Sequence, residues 1–506
     1  MNTIDWKELQ NGSDVRGIAL KGMPGEKVNL TPEAVSRIGQ SFVGWLLKRY
    51  TGTRLSISIG MDSRLSGPVL KEALVKGLID CGVDVSDFGL ASSPAMYMST
   101  LSEDRPFTAA IMLTASHLPF NRNGMKFYTS EGGLDKADIS DILELAASGA
   151  SFRAKTMGSV EKRDFMAEYA ARFVRIIREQ VNHPKYFDEP LTGLKIVVDA
   201  GNGAGGFYAT EVLAKLGADI SASQFLEPDG RFPNHLPNPE DELAMLSVTR
   251  QVKATNADLG IIFDTDVDRA ALVVRGGQMI NRNHLIAMVS AVVLGDYPGT
   301  TIVTDSITSN GLSWFINEHL GGRHHRFQRG YKNVINEAVR LNKEGQECHL
   351  AIETSGHAAL KENHFLDDGA YLITKLIITK ARLQQEGKNL TSLIEKLPIP
   401  VSSTEVRIGI NNHNFKDYGE KVITELGLWA ANHVGWELAP DNYEGLRVQC
   451  TKPQGWFLLR ISLHDPVLPL NIETEEKGGM TEIVSELRRF FVNYDDLDLS
   501  GLKDID

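Results

Sequence analysis

Three related α/β domains with mainly parallel mixed sheets, followed by an α+β C-terminal domain, is the fold the 506-residue sequence predicts. Three observations predict it. A β-branched run, a loop of small or acidic residues and an amphipathic helix recur in that order three times. Each copy has a further strand-like run downstream, which makes βαβ units. Beyond a proline-containing stretch, LPIPVSS, the pattern changes to longer strands flanked by two helices. The length suits three to four domains of ordinary size.

The first copy is Leu55 to Gly60, then MDSRLSGP, then a helix carrying Leu70, Leu74 and Leu78 at i, i+4 spacing. Ser66 is its expected N-cap and Pro68 suits its first turn. The second is Leu194 to Asp199, then AGNGAGG, then a helix through Val212, Leu213 and Leu216. The third is Thr301 to Asp305, then SITSNG, then a helix through Leu312 and Ile316. The downstream strands are expected at Val83 to Phe88, Asp219 to Ser223 and His324 to Gln328. In the last segment strands are expected at Val401 to Ile408, Leu446 to Thr451 and Gly455 to Leu463, with helices from Phe415 to His433 and Met480 to Val492. The tail DLDLSGLKDID reads as frayed. Boundaries near Glu189-Pro190, Pro298-Gly299 and LPIPVSS give domains 1–188, 189–297, 298–397 and 398–506.

A formal charge of −12 argues against a general nucleic-acid or membrane-surface binder. Cys81, Cys348 and Cys450 are far apart and odd in number, so a reducing compartment fits better than a disulfide framework. Cys348-His349 reads as part of a buried strand rather than as a metal site. The N-terminus does not read as a secretion signal, and no apolar run reaches membrane-spanning length. The expectation is a soluble cytoplasmic protein, or an organellar stromal one if a transit peptide has been removed.

Five segments carry chemistry. Ser116, in Thr114-Ala115-Ser116-His117-Leu118-Pro119, follows an apolar strand and precedes a polar, cationic stretch that includes Lys126. His117 beside it suggests a Ser-His hydrolase, but adjacent residues rarely supply that geometry and no GxSxG elbow is present. Asp264, Asp266 and Asp268 follow the apolar strand Ile261-Ile262-Phe263. In extended chain, alternate residues share one side, and three converging carboxylates call for a hard cation such as Mg²⁺. An EF-hand fails because Arg269 and Arg275 stand at its glycine and glutamate positions. Glu353, Ser355 and His357 lie in a third strand-end loop, a set suited to vicinal hydroxyls and proton exchange. Two cationic loops, Gln328 to Lys332 and Arg460 to Pro466, suit phosphate. All five lie near predicted strand ends, where α/β sheets place ligands, and together they describe phosphoryl transfer on a polyhydroxy substrate.

The sequence resembles the α-D-phosphohexomutases, the family of phosphoglucomutase, phosphomannomutase and the amino-sugar phosphate mutases. The resemblance runs along nearly the whole chain: Asp14-Val15-Arg16-Gly17, the GxDxRxS segment Gly60 to Ser66, TASHxP with Asn123 to Lys126, Pro228 to His235 before the DxDxDR loop, and the ExSGH loop Glu353 to His357. The resemblance implies four domains around a central cleft. It implies a phosphoserine at Ser116, with Mg²⁺ held by Asp264, Asp266, Asp268 and an oxygen of that phosphate. It implies transfer between C1 and C6 of a sugar phosphate through a sugar 1,6-bisphosphate, which also serves as activator. Ser116, His117, Lys126, Arg16 and His357 take catalytic places, with Lys126 and His357 as proton carriers and Arg16 assisting electrostatically. Arg269, Lys332, Glu353, Ser355, Arg460 and Ser462 take substrate-binding places. A monomer or homodimer acting on a small sugar phosphate is expected, with no nucleic-acid or membrane partner.

The C-terminal phosphate loop departs from the family pattern RxSGTEP: Leu463 and His464 replace glycine and threonine, and Pro469 stands where a further arginine is expected. Leu118 replaces a common asparagine beside Ser116. Glucose or mannose phosphate is the expected substrate. A phosphoglucosamine mutase, and a mutase-like sensor or scaffold that binds sugar phosphate without turning it over, stay open alternatives. An unrelated phosphatase or hydrolase is the third.

Overall fold

The computed structural model describes residues 4–22, 24–52, 54–440, 442–462, 465–503 and 505. The chain divides into two compact units. One is Met1–Leu285 with Ser355–Ser392, the other Ile286–Thr354 with Leu393–Asp506.

The first unit contains two mixed sheets. In the larger, Ser56–Met61 lies parallel between Asp84–Leu90 and Ala109–Leu113, with Val160–Lys162 parallel at the far edge. Arg122–Thr129 and Asp14–Ile18 extend it antiparallel on the other side. Alternating Ile57 and Ile59 are fully buried, and the helix Gly67–Asp80 buries Leu70, Leu74 and Leu78 as its spacing predicts. Ser66 occupies the N-cap position without capping; its hydroxyl accepts instead from Asn123 Nδ2 at 2.8 Å. In the smaller sheet Leu259–Phe263 pairs parallel with Ile196–Asp199 and antiparallel with Ala270–Val274, which Met279–Ile280 extends.

One expectation fails here, and one expected helix forms in an irregular shape. No strand forms at Asp219 to Ser223; only single bridges join Lys195 to Asp219 and Asp199 to Gln224. The Asp219 carboxylate takes the Ser221 amide and Ser223 N bonds to Ile220 O, so the segment turns instead. The helix after AGNGAGG is irregular, a π-helical stretch Tyr208–Leu213 tightening to a 3₁₀ turn Ala214–Leu216.

The second unit holds a parallel array in which Thr301–Asp305 pairs with Arg323–Phe327 and with Cys348–Ile352. Cys348 is buried in its strand, and all three cysteines are buried thiols outside any disulfide. The C-terminal sheet is antiparallel, in the order Trp436–Leu438, Leu446–Thr451, Gln454–Leu459, Val467–Thr474, Ser402–Ile410, Leu497–Asp498. Helices Phe415–Ala431 and Gly479–Phe491 pack on it through Val422, Leu426, Ile483 and Leu487. The tail is folded, not frayed, as far as Lys503. Leu497–Asp498 pairs with Gly409 and Ile410, and Leu502, in the helix Ser500–Lys503, is fully buried.

Arg447 joins the two sheets of this unit. Its buried guanidinium stacks on Trp456 and donates to Ser306 O, Thr308 O and Asn310 Oδ1 at 2.8–3.1 Å. Among the described residues no helix is long and apolar enough to cross a membrane.

Candidate active site

The strand Leu259–Phe263 carries the chain into the acidic loop, and Ala270–Val274 carries it back. The three carboxylates do converge: one oxygen from each of Asp264, Asp266 and Asp268 lies within 4.8 Å of the others. Simple alternation in extended chain is not the cause. The loop is a tight turn with Val267 at φ +67°, a costly conformation for a β-branched residue. Surrounding backbone holds it there. Gly369 N donates to Val267 O, Ala204 N to Thr265 O, and Ser93 N to Asp266 O. Gly203 must be glycine-sized, because a Cβ there would sit 2.7 Å from Thr265 O.

Asp266 and Asp268 each leave one buried oxygen, Oδ1, without a hydrogen-bond donor. Burial, reinforced by Asp268 and Asp266, pushes the Asp264 carboxyl well above its usual range. A small divalent cation with oxygen preference fits this donor set and would relieve both the repulsion and the orphaned oxygens.

Ser116 sits at the end of the strand Ala109–Leu113 with φ +49°. Its Oγ donates to Asp264 Oδ2 at 3.0 Å and accepts from Arg269 Nη2 at 3.0 Å. Arg269 is buried and also reaches Asp264 Oδ2 through Nε at 3.2 Å and Asn238 Oδ1 through Nη1 at 3.3 Å. Its Nη2 donates to His117 Nδ1 at 2.5 Å. Burial, with Arg269 and Arg16 beside it, pulls the His117 pKa down to about 2, so the ring is a neutral acceptor at neutral pH.

Lys126 Nζ bonds Asp266 Oδ2 at 3.1 Å and, more closely, Asp268 Oδ2. Burial works against its charge, yet the two aspartates hold its pKa well above the ordinary lysine value. Arg16 pairs with Asp14 at 2.9 Å and donates to Ala115 O at 3.3 Å. His357 lies 3.6 Å from Asp268 through Nε2, and its Nδ1 is 2.9 Å from Ser355 Oγ. The first unit thus brings together Ser116, His117, Lys126, Arg16, His357, Arg269, Ser355 and the three aspartates.

Four expected residues belong to the second unit. Glu353 follows the strand Cys348–Ile352, and its Oε1 accepts from Gly330 N at 2.7 Å. Lys332 is in the first turn of the helix Tyr331–Lys343, just after that glycine. Arg460 is 13% exposed and lies 3.9 Å from Glu444, whose other oxygen accepts from Ser306 Oγ at 2.6 Å and Arg329 N at 3.1 Å. Ser462 Oγ accepts from Asp465 N at 3.2 Å; Leu463 and His464, the altered positions of this loop, lie outside the described residues. Pro469 pairs with Arg407 in register, and Arg407 reaches Asp465 at 3.0 Å. A guanidinium therefore stands beside this loop although position 469 supplies none.

Other residues escaped the sequence reading. Arg64, fully buried, clamps the Ser116 loop: its Nη2 donates to Ser116 O and Leu118 O at 2.5 Å each, its Nη1 to Pro119 O at 2.7 Å and Arg122 O at 3.0 Å. Asp62 backs it and accepts from Thr114 Oγ1 at 2.7 Å. Ser93 Oγ donates to Asp266 at 2.5 Å, and Glu240 lies 3.6 Å from Arg269. The GxDxRxS segment was visible in sequence, but nothing in its spacing showed that its arginine reads four carbonyls.

Family models match the chain in three successive blocks. They are phosphoglucomutase/phosphomannomutase α/β/α domain I over residues 7–153, domain II over 171–277 and domain III over 281–400. A phosphomannomutase/phosphoglucomutase of Pseudomonas syringae pv. tomato is 33% identical over 432 residues, 85% of each chain. A phosphoglucomutase of Neisseria meningitidis is 28% identical over 95% of this chain and 96% of its own. The crystal structure of a phosphoglucomutase/phosphomannomutase family protein from Burkholderia thailandensis superposes with a TM-score of 0.78 at 28% identity, covering 97% and 98% of the two chains. With the three domain models matched in order and a relative 33% identical over 85% of each chain, the chain belongs to the phosphoglucomutase/phosphomannomutase family.

Proposed function

We propose that this protein is a Mg²⁺-dependent hexose-phosphate mutase that moves phosphate between C1 and C6 of glucose or mannose phosphate. One observation carries the reading: Ser116 Oγ lies 3.0 Å from both Asp264 and Arg269, at the mouth of a converging carboxylate triad. In this reading Ser116 bears a phosphoryl group at rest. Asp264, Asp266 and Asp268, with one oxygen of that phosphate, would hold Mg²⁺. When bound, the metal offsets charge on the transferring group and makes phosphorus more electrophilic.

The chain's residues do the rest. A sugar hydroxyl oxygen bonds to phosphorus as the bond from phosphorus to Ser116 Oγ breaks, and the hydroxyl proton is passed back to Ser116. Lys126 and His357 are assigned to carry protons. Arg269 stabilises the departing Oγ, and Arg16 adds positive potential at the same loop. Glu353 and Ser355 are assigned to the sugar hydroxyls, and Lys332, Arg460 and Ser462 to the remote phosphate. The four segments 1–188, 189–297, 298–397 and 398–506 would each contribute one loop. A sugar 1,6-bisphosphate would prime Ser116, and a cytoplasmic monomer or homodimer would suffice.

The test is turnover of glucose 1-phosphate, mannose 1-phosphate and glucosamine 1-phosphate with Mg²⁺ and the matching bisphosphate. The Ser116→Ala variant, shown to be folded, is the control. Conversion that depends on Ser116 supports the mutase and names its sugar. Equal conversion by Ser116→Ala overturns the mechanism. Ligand-induced stabilisation without product, in phosphorylated protein, replaces it with a binding role.

A further inference from the structure

We infer that the first unit carries a second binding site, for a small phosphorylated metabolite, in the cavity at the end of the Leu259–Phe263 and Ala270–Val274 hairpin remote from the acidic loop. The cavity is about 460 Å³, within the size range of small-molecule sites. Leu259 and Val274, paired in register, form part of its wall, so it opens where the hairpin begins and ends. Five strand residues separate it from the acidic loop, roughly 16 Å at the usual rise per residue. It is therefore distinct from the Ser116 centre, and the inference does not rest on the mutase reading.

Charge selects the ligand. Three cations, Arg275, Lys380 and Lys388, line the cavity against one carboxylate, Asp258, in a chain whose formal net charge is −12. Arg275 holds Asp258 at 2.5 Å and Lys388 holds Glu386 at 2.8 Å. Lys380 is half-buried on the helix Gly369–Gln385 and has no hydrogen bond or ion pair among the described residues. Burial lowers its pKa; Asp258 counters this and Arg275 adds to it. A phosphate dianion would satisfy that ammonium and match the forked guanidinium of Arg275. The apolar wall leaves room for an organic remainder.

Pyridoxal 5′-phosphate tests this residue by residue. Its phosphate seeks the site, its aldehyde condenses with a neutral amine with loss of water, and borohydride reduces the imine to a stable adduct that peptide mapping locates. Lys380 is expected to label several-fold faster than the exposed Lys76 and Lys396. Inorganic phosphate should protect it where sodium chloride of equal ionic strength does not. Arg275→Gln, with unchanged circular dichroism, should slow the labelling. Labelling of Lys380 at the rate of the exposed lysines, or labelling that phosphate leaves untouched, overturns the site. An unchanged rate in Arg275→Gln overturns the assignment of phosphate to that guanidinium. Because adducts are mapped by residue, labelling at Lys126 is separated from labelling here.

Discussion

Replacing Arg64 by lysine keeps the charge and removes the fork. The guanidinium satisfies four carbonyl oxygens, those of Ser116, Leu118, Pro119 and Arg122. A lysine ammonium at this site has geometry for one or two of them. Losing at least two charge-assisted bonds at about 1.5–3 kcal/mol each removes roughly 3–6 kcal/mol from the loop. The left-handed backbone at Ser116 stores on the order of 1–2 kcal/mol of its own. The clamp's loss exceeds that strain, so the loop relaxes and Ser116 Oγ leaves its position between Asp264 and Arg269. Misplacement of a nucleophile by an ångström costs about a hundredfold in rate. The expected result is therefore a kcat drop of about that size or more, with a lower melting temperature and reduced phosphate occupancy on Ser116 by intact-mass analysis. Arg64→Lys that melts early yet turns over at the wild-type rate would refute the reasoning: Arg64 would then stabilise the fold without setting the nucleophile.

The remaining predictions concern neighbouring contacts. Burial pushes the Asp62 carboxyl up to about 6 from 3.8, with Arg64 opposing. Its contribution to stability is fully present below pH 3.8 and is lost as pH rises through 6, a span worth about 3 kcal/mol. Denaturant midpoints from pH 4 to 7 should therefore fall more steeply for wild type than for Asp62→Asn, and parallel curves would contradict this. Gly203→Ala puts a methyl against Thr265 O and should weaken Mg²⁺ binding by about tenfold or more in calorimetry, the equivalent of ~1.4 kcal/mol. Unchanged affinity would mean that the glycine does not shape the loop. Leu502→Ala should cost about 2–5 kcal/mol in chemical denaturation, and a cost near zero would show that the tail is not part of the C-terminal core.

What the sequence made legible follows its local periodicities. The strand Ser56–Met61 and the helix Gly67–Asp80 were readable because alternation and i, i+4 spacing are properties of contiguous residues. The acidic loop was readable as chemistry but not as geometry. Its convergence comes from Val267 in a left-handed conformation, held by Ser93, Ala204 and Gly369 from three distant segments. The same distance hid the clamp of Arg64, since an arginine bonded to carbonyls leaves no complementary residue type to find. Ser66 misled because a serine before a helix has two possible partners, and here a tertiary one, Asn123, displaced the local one. Asp219 to Ser223 failed as a strand because its own side chains bond its own backbone.

The interleaving of the two units bears on how the chain is made. Residues 1–285 leave the ribosome well before 355–392, which complete the same unit. The helix Gly369–Gln385 in that late segment is buried along most of its length, and Thr374 bonds Tyr208 at 2.8 Å. Until it arrives, the apolar surface it will cover around Phe173 and Tyr208 stands open, while residues 286–354 are still being added. At ordinary elongation speeds of about 5–20 residues per second that interval lasts several seconds. A nascent chain of this protein therefore passes through a stage in which its nucleophile and all three metal-binding aspartates have been synthesised but their scaffold is unfinished, the stage at which chaperone binding or aggregation would act on it.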